Sequence, residues 1–125
     1  MREQIKKFND LNAWKEGHKL VLRIYALVEK FPNKEQFGLV SQLERASISI
    51  TSNIAEGFSR YYFKDKIRFY YIARGSVSEV QNQLIIAKDL GYVKEKLVNE
   101  IIEQSDSVSS LINGLINSIS KQTIK

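Results

Sequence analysis

Two polar patches, Asn53/Glu56/Arg60 and Arg74/Ser76/Glu79, flank a run of basic and aromatic residues from Arg60 to Tyr71, and together they hold most of the side chains with chemistry to offer. Glu56 and Glu79 can be imagined as a carboxylate pair for acid–base work. Arg45, Arg60 and Arg74 fall at helical positions equally suited to pairing with them. Arginine–carboxylate forks satisfy buried charge and fix helix register, so a structural polar network takes precedence over catalysis. Asn53 and Ser76 join that network, Asn53 as the buried hydrogen-bonding residue that sets how two helices meet. Within the run, Lys64, Lys66 and Arg68 can neutralise phosphates while the tyrosines stack on exposed bases. Lys15, Lys19 and Arg23, four residues apart, form a second basic stripe. A solvated helix face is the competing reading for each stripe, and for the Lys15/Lys19/Arg23 stripe taken alone it is the stronger one.

Other chemistries fail on inventory. A di-metal carboxylate site in a helical bundle needs inward glutamates and Glu-x-x-His pairs, yet the chain has one histidine, His18, with no carboxylate three residues before it. His18 shares a stripe with Trp14 and Val21 and is expected to pack between helices through one hydrogen bond. Cysteine is absent, which excludes disulfides, thiolate-held metals and thiol nucleophiles. No glycine-rich phosphate loop occurs, and Ala73-Arg74-Gly75-Ser76 lies in mid-helix, where Gly75 predicts close approach of another helix. The expectation is a protein that is not an enzyme, with no catalytic, metal or cofactor-binding residue.

The breakers Pro32, Gly57 and Gly91 mark three connections between four helices. The first is predicted from about Asp10 to Lys30, with Leu11, Trp14, His18, Val21, Tyr25 and Val28 on one stripe and Gly17, Leu20, Ile24, Leu27 and Phe31 beside it. Asn33 and Gln36 read as a capping box for the second, which shows Leu39, Leu43, Ala46, Ile50 and Ile54 before ending near Gly57. The third spans about Phe63 to Leu90, with Gly91 as its stop. Phe69 to Ala73 is apolar or aromatic all round, which predicts contacts on several sides. The fourth runs from about Lys94 to Ser120. Period-two alternation is absent and the links are short, so the chain is all-α, an up-down-up-down antiparallel four-helix bundle.

One domain, 1–125, is expected, with short unordered tails at about 1–8 and 121–125. Net charge is +5, and residues 1–34 and 57–75 each carry an excess of four positive charges. Clustered positive charge attracts polyanions. No apolar run approaches a membrane span and the N-terminal residues lack a signal-peptide pattern, so no membrane contact and a cytoplasmic location are expected.

A specific resemblance spans nearly the whole chain. It rests on Asp10-Leu11, Trp14-Lys15, Ile24-Tyr25, Phe31-Pro32, Gly38-Leu39, Gln42, Arg45-Ala46, Ser49-Ile50, the block Ser52 to Gly57, Arg60, Phe69, Ala73 to Ser76, Glu79 and Gly91-Tyr92. In that order these residues resemble the 23S ribosomal-RNA intervening-sequence proteins. The resemblance implies a left-handed antiparallel bundle that assembles as a ring-like homo-oligomer, a pentameric barrel with a basic surface. The chain is similar also to the accessory variability proteins of diversity-generating retroelements, which associate with a reverse transcriptase and bind nucleic acid. No catalytic residues are attributed to the family. Two readings follow: a homo-oligomer that binds RNA or DNA through basic faces, or an adaptor whose partner is an acidic or polymerase-like protein.

Overall fold

Four α-helices occupy most of the described residues, 4–123, of the computed structural model: α1 Asn12–Val28, α2 Leu39–Ser59, α3 Phe63–Asp89 and α4 Glu95–Thr123. Short 3-10 turns at Phe8–Asp10 and Asn33–Glu35 precede α1 and α2, and no strand is present among these residues. The expected stripe of α2, from Leu39 to Ile54, is buried throughout. On α1 the core is the stripe of Gly17, Leu20, Ile24 and Leu27, while Tyr25 and His18 on the neighbouring stripe are exposed. Leu84 from α3 and Val98, Ile101, Val108 and Ile112 from α4 complete the enclosed centre. Full burial of such a side chain contributes about 1.5–3 kcal/mol, so the four-helix bundle is held chiefly by this shared apolar interior.

Polar pairs link neighbouring helices. Ser49 meets Ser76 and Gln42 meets Gln83 between α2 and α3, and Arg74 meets Asn113 and Gln81 meets Ser105 between α3 and α4. In each set the numbers rise on one helix as they fall on the other. Two glycines mark close approaches. A Cβ on Gly17 would lie 3.2 Å from Thr51 Cγ2, and one on Gly57 would lie 2.6 Å from Tyr70 Cε1. Gly75 differs from expectation, because nothing of this chain lies within 4 Å of where its Cβ would stand. Likewise, of the Phe69 to Ala73 run only Tyr70 and Ala73 are buried, while Tyr71 and Ile72 are exposed.

The ends of the helices follow local chemistry. Gly91 adopts φ 83°, and the amides of Gly91 and Tyr92 donate to the carbonyls of Lys88 and Ala87, closing α3 with a Schellman motif. The expected capping box at Asn33 and Gln36 does not form. Asn33 is itself part of a 3-10 turn, α2 begins at Leu39, and the Glu35 carboxylate accepts the Leu39 amide at 3.2 Å. Of the expected unordered tails, residues 1–3 and 124–125 lie outside the described residues. The Lys6 and Lys7 amides both donate to the Asp10 carboxylate at 3.0 Å, and the α4 helix continues to Thr123.

Glu35 also accepts the Tyr92 hydroxyl at 2.8 Å, tying the α1–α2 connection to the α3–α4 connection. The bonds from Tyr92 and from the Leu39 amide hold the Glu35 carboxyl below its ordinary value, and the bond to Glu35 raises the Tyr92 phenol. A carboxyl depressed on folding contributes stability above its unfolded value of roughly 4.3, lost as pH falls through the folded value. Urea midpoints measured between about pH 6 and 3 are therefore expected to fall less steeply for Glu35→Gln than for the parent protein. Identical slopes would show that the latch is not formed.

Candidate nucleic-acid interface

The turn joining α2 to α3 is three residues long, Arg60 to Tyr62, and the helices on either side place a basic aromatic cluster at that end of the bundle. Lys66, one turn into α3, reaches back and donates to the Phe58 carbonyl at 2.6 Å and to the Gly57 carbonyl at 3.4 Å. These are carbonyls of the last turn of α2, where orphan acceptors and the helix dipole favour a cation. The Lys66 ammonium also lies 5.4 Å from the centre of the Phe58 ring, and burial pushes it below its ordinary value. Lys66 is thus a fastener of the turn. Lys64 is exposed with no hydrogen bond or ion pair among the described residues, and Arg68 is exposed with its guanidinium 5.3 Å from the centre of the Phe69 ring.

Arg60 lies over the same Phe69 ring at 4.7 Å and pairs with Glu56 at 3.3 Å. Both partners are exposed, so this i,i+4 pair is worth only about 0.3–0.5 kcal/mol. The aromatic side chains of the turn itself are open to solvent: Tyr61 is 87% exposed and Tyr62 68%. Their rings stand edge to face with centres 5.0 Å apart, and with Phe63 they line a hollow of ≈ 430 Å³.

The internal network is partly different from the one anticipated. Asn53 donates to the Ser49 carbonyl at 2.8 Å and to the Ser49 hydroxyl at 3.0 Å, and that hydroxyl shares a 2.8 Å hydrogen bond with Ser76, so the chain Asn53–Ser49–Ser76 joins α2 to α3. Arg74 turns toward α4, donating to Asn113 at 2.8 Å with its guanidinium 4.8 Å from the Tyr71 ring centre. The buried arginine–carboxylate forks are not formed. Arg45 and Glu79 are both exposed without a hydrogen bond or ion pair among the described residues, because the α2–α3 groove opens to water where they stand. That groove is a hollow of ≈ 540 Å³ bordered also by Phe37, Ser41, Gln42 and Gln83, with no second carboxylate and no histidine. Sequence reasoning missed Gln83, which is buried with its Oε1 unpartnered, and Phe37, which is 92% exposed.

The α1 stripe is divided among partners. Lys15 is exposed and lends its charge to Asp10, Lys19 pairs with Glu16 at 3.2 Å, and Arg23 crosses to α4, donating to Gln104 at 2.9 Å and meeting Glu100 at 3.4 Å. None of these bonds reaches the α2–α3 turn. His18 stacks on Trp14 with ring centres 4.7 Å apart instead of packing between helices, because its side of α1 faces solvent. Among the described residues no three His, Asp or Glu side chains gather as metal ligands, and no helix is long and apolar enough to cross a membrane.

Fold and site together define a small, net-positive four-helix bundle whose two most exposed tyrosines among the described residues stand at the α2–α3 turn, followed by cations at the start of α3. Residues 9–114 match the family described as 23S rRNA-intervening sequence protein, and the chain belongs to that family. It is similar to a crystal structure of a protein with unknown function from the S23 ribosomal protein family of Bacteroides thetaiotaomicron, at 22% identity over 90% of this chain and 99% of that one, with a TM-score of 0.78. At that identity the likeness is one of fold. No curated protein matches the chain.

Proposed function

We propose that the protein is a non-enzymatic, homo-oligomeric bundle of up-down-up-down antiparallel topology that binds RNA or DNA through exposed basic side chains, in the cytoplasm. The observation that carries the reading is the α2–α3 turn and the start of α3, where Tyr61 and Tyr62 are open to solvent and Lys64 and Arg68 stand exposed in the six residues that follow. The reversed numbering of the inter-helix pairs supports the topology. Exposed apolar side chains on the helices, such as Leu22, Ile48, Ile72 and Ile86, support self-association, and the family resemblance favours five copies in a ring. Repetition around a ring multiplies weak phosphate contacts into avidity. Mass measurement in solution is expected to give a multiple of 14.4 kDa, and binding to labelled RNA and DNA is expected to weaken by orders of magnitude between roughly 50 and 200 mM salt. An oligomer with no salt-dependent binding to either polymer would overturn the reading.

A second reading, an adaptor for an acidic or polymerase-like protein, is favoured by one feature. Arg45, Glu79 and the buried Gln83 present unmatched polar groups in the α2–α3 groove, as a surface awaiting a complementary chain would. Capture of such a partner that survives nuclease digestion, and is lost in Arg45→Glu, is the expected result for it.

A further inference from the structure

We infer that the α2–α3 turn is a stacking platform for unpaired bases, so that the nucleic acid this protein takes is single-stranded at the point of contact. The inference rests on the polyanion-binding reading above and adds the class of strand. Three observations converge on it. Tyr61 and Tyr62 are the two most exposed tyrosines of the described chain, at 87% and 68%, and neither contributes to the core. Their edge-to-face arrangement, 86° between planes, leaves at least one face of each ring uncovered by the other. The turn that carries them is fastened, because the Lys66 ammonium closes on the Gly57 and Phe58 carbonyls. That fastening holds the backbone flanking the turn, so presenting the two rings to a base costs less chain ordering than it would on a loose loop.

Charge decides what approaches these rings. Residues 57–75 hold five basic side chains and one acidic one, and Lys64 directly follows the aromatic triplet Tyr61-Tyr62-Phe63 with its ammonium unpaired among the described residues. Phosphate on Lys64 and bases on the adjacent rings is the alternation that a single strand presents. A duplex keeps its bases stacked on one another, so it can use the cation and not the rings.

The test uses the full chain, a fluorescein-labelled single-stranded 20-mer RNA and a hairpin duplex of the same composition, each titrated at several salt concentrations. The single strand is expected to bind about ten-fold more tightly than the duplex, and Tyr61→Ala with Tyr62→Ala to remove most of that preference, since stacking is worth about five-fold or more per base. The same double change to phenylalanine should restore it, because the ring faces return without the hydroxyls. Circular dichroism of the alanine variant is expected to match the parent. Equal binding of strand and duplex, with a normal salt dependence, would overturn the platform and leave the polyanion reading standing. No salt-dependent binding of either RNA would remove both. Tyrosine-dependent binding to anionic phosphatidylserine vesicles in place of RNA would overturn the inference in favour of a lipid surface.

Discussion

Gly57→Ala is expected to destabilise the bundle by about 1–3 kcal/mol, the usual cost of forcing a methyl group into a filled interior. The added carbon would stand 2.6 and 2.9 Å from two ring carbons of Tyr70 and 3.1 Å from Phe69 Cβ. Tyr70 is 2% exposed and has no room to swing into solvent, and the same burial pushes its phenol up to about 12. The intrinsic advantage of alanine over glycine in a helix is only about 1 kcal/mol, so steric overlap wins. The urea midpoint should fall, and Tyr70→Leu in the Gly57→Ala background should recover part of the loss, giving a coupling energy between the two sites. A raised midpoint for Gly57→Ala alone would show that the ring yields freely and that the α2–α3 packing is looser than described.

Reversing Lys64 and Arg68 to glutamate is expected to abolish polyanion binding near physiological salt while leaving helicity and thermal midpoint essentially unchanged. For each phosphate that is no longer neutralised the salt slope should fall by about one, and two like charges placed beside the phosphate path repel what remains. Both side chains are exposed and neither makes an ion pair among the described residues; Arg68 gives up only an exposed contact with the Phe69 ring, which Arg60 also covers, so folding is expected to survive the change. Lys66 is deliberately left intact. Its ammonium closes the end of α2, and a glutamate there would leave carbonyls unpaired and face the negative helix end, costing about 1–3 kcal/mol. A charge-reversed pair that binds RNA as the parent does would move the contact elsewhere, with Lys15 and Lys19 on α1 the next exposed cations to reverse.

The helices were legible because their signals are local. Leu39, Leu43, Ala46, Ile50 and Ile54 recur at helical spacing and are buried, and Gly91 stops α3 through a backbone conformation that glycine adopts most easily. What could not be read depends on distant geometry. Glu35 displaces the Asn33 capping box because its carboxylate also gains the Tyr92 hydroxyl, a partner 57 positions away. Lys66 belongs to the turn because its acceptors are backbone carbonyls, which no residue type announces. The expected forks around Glu79 failed for a related reason: helical spacing places Arg45 and Glu79 on facing surfaces, but the groove between α2 and α3 is wide enough there for water to solvate both. Asn53, by contrast, reaches its partner Ser49 one helical turn away, and only the second link to Ser76 needed the fold.

The Glu35–Tyr92 bond makes the two ends of the bundle unlike. At one end a single carboxylate clasps two connections together; at the other, α2 and α3 are joined by the aromatic turn. The molecule therefore has a head and a foot. Rotation about a cyclic axis carries every copy of a given atom to the same height along that axis. Any cyclic assembly of this chain, whatever its copy number, consequently sets all its Tyr61 and Tyr62 rings in one circle and all its clasped ends in another. Such a particle is polar, and a strand that engages successive turns would run around one rim.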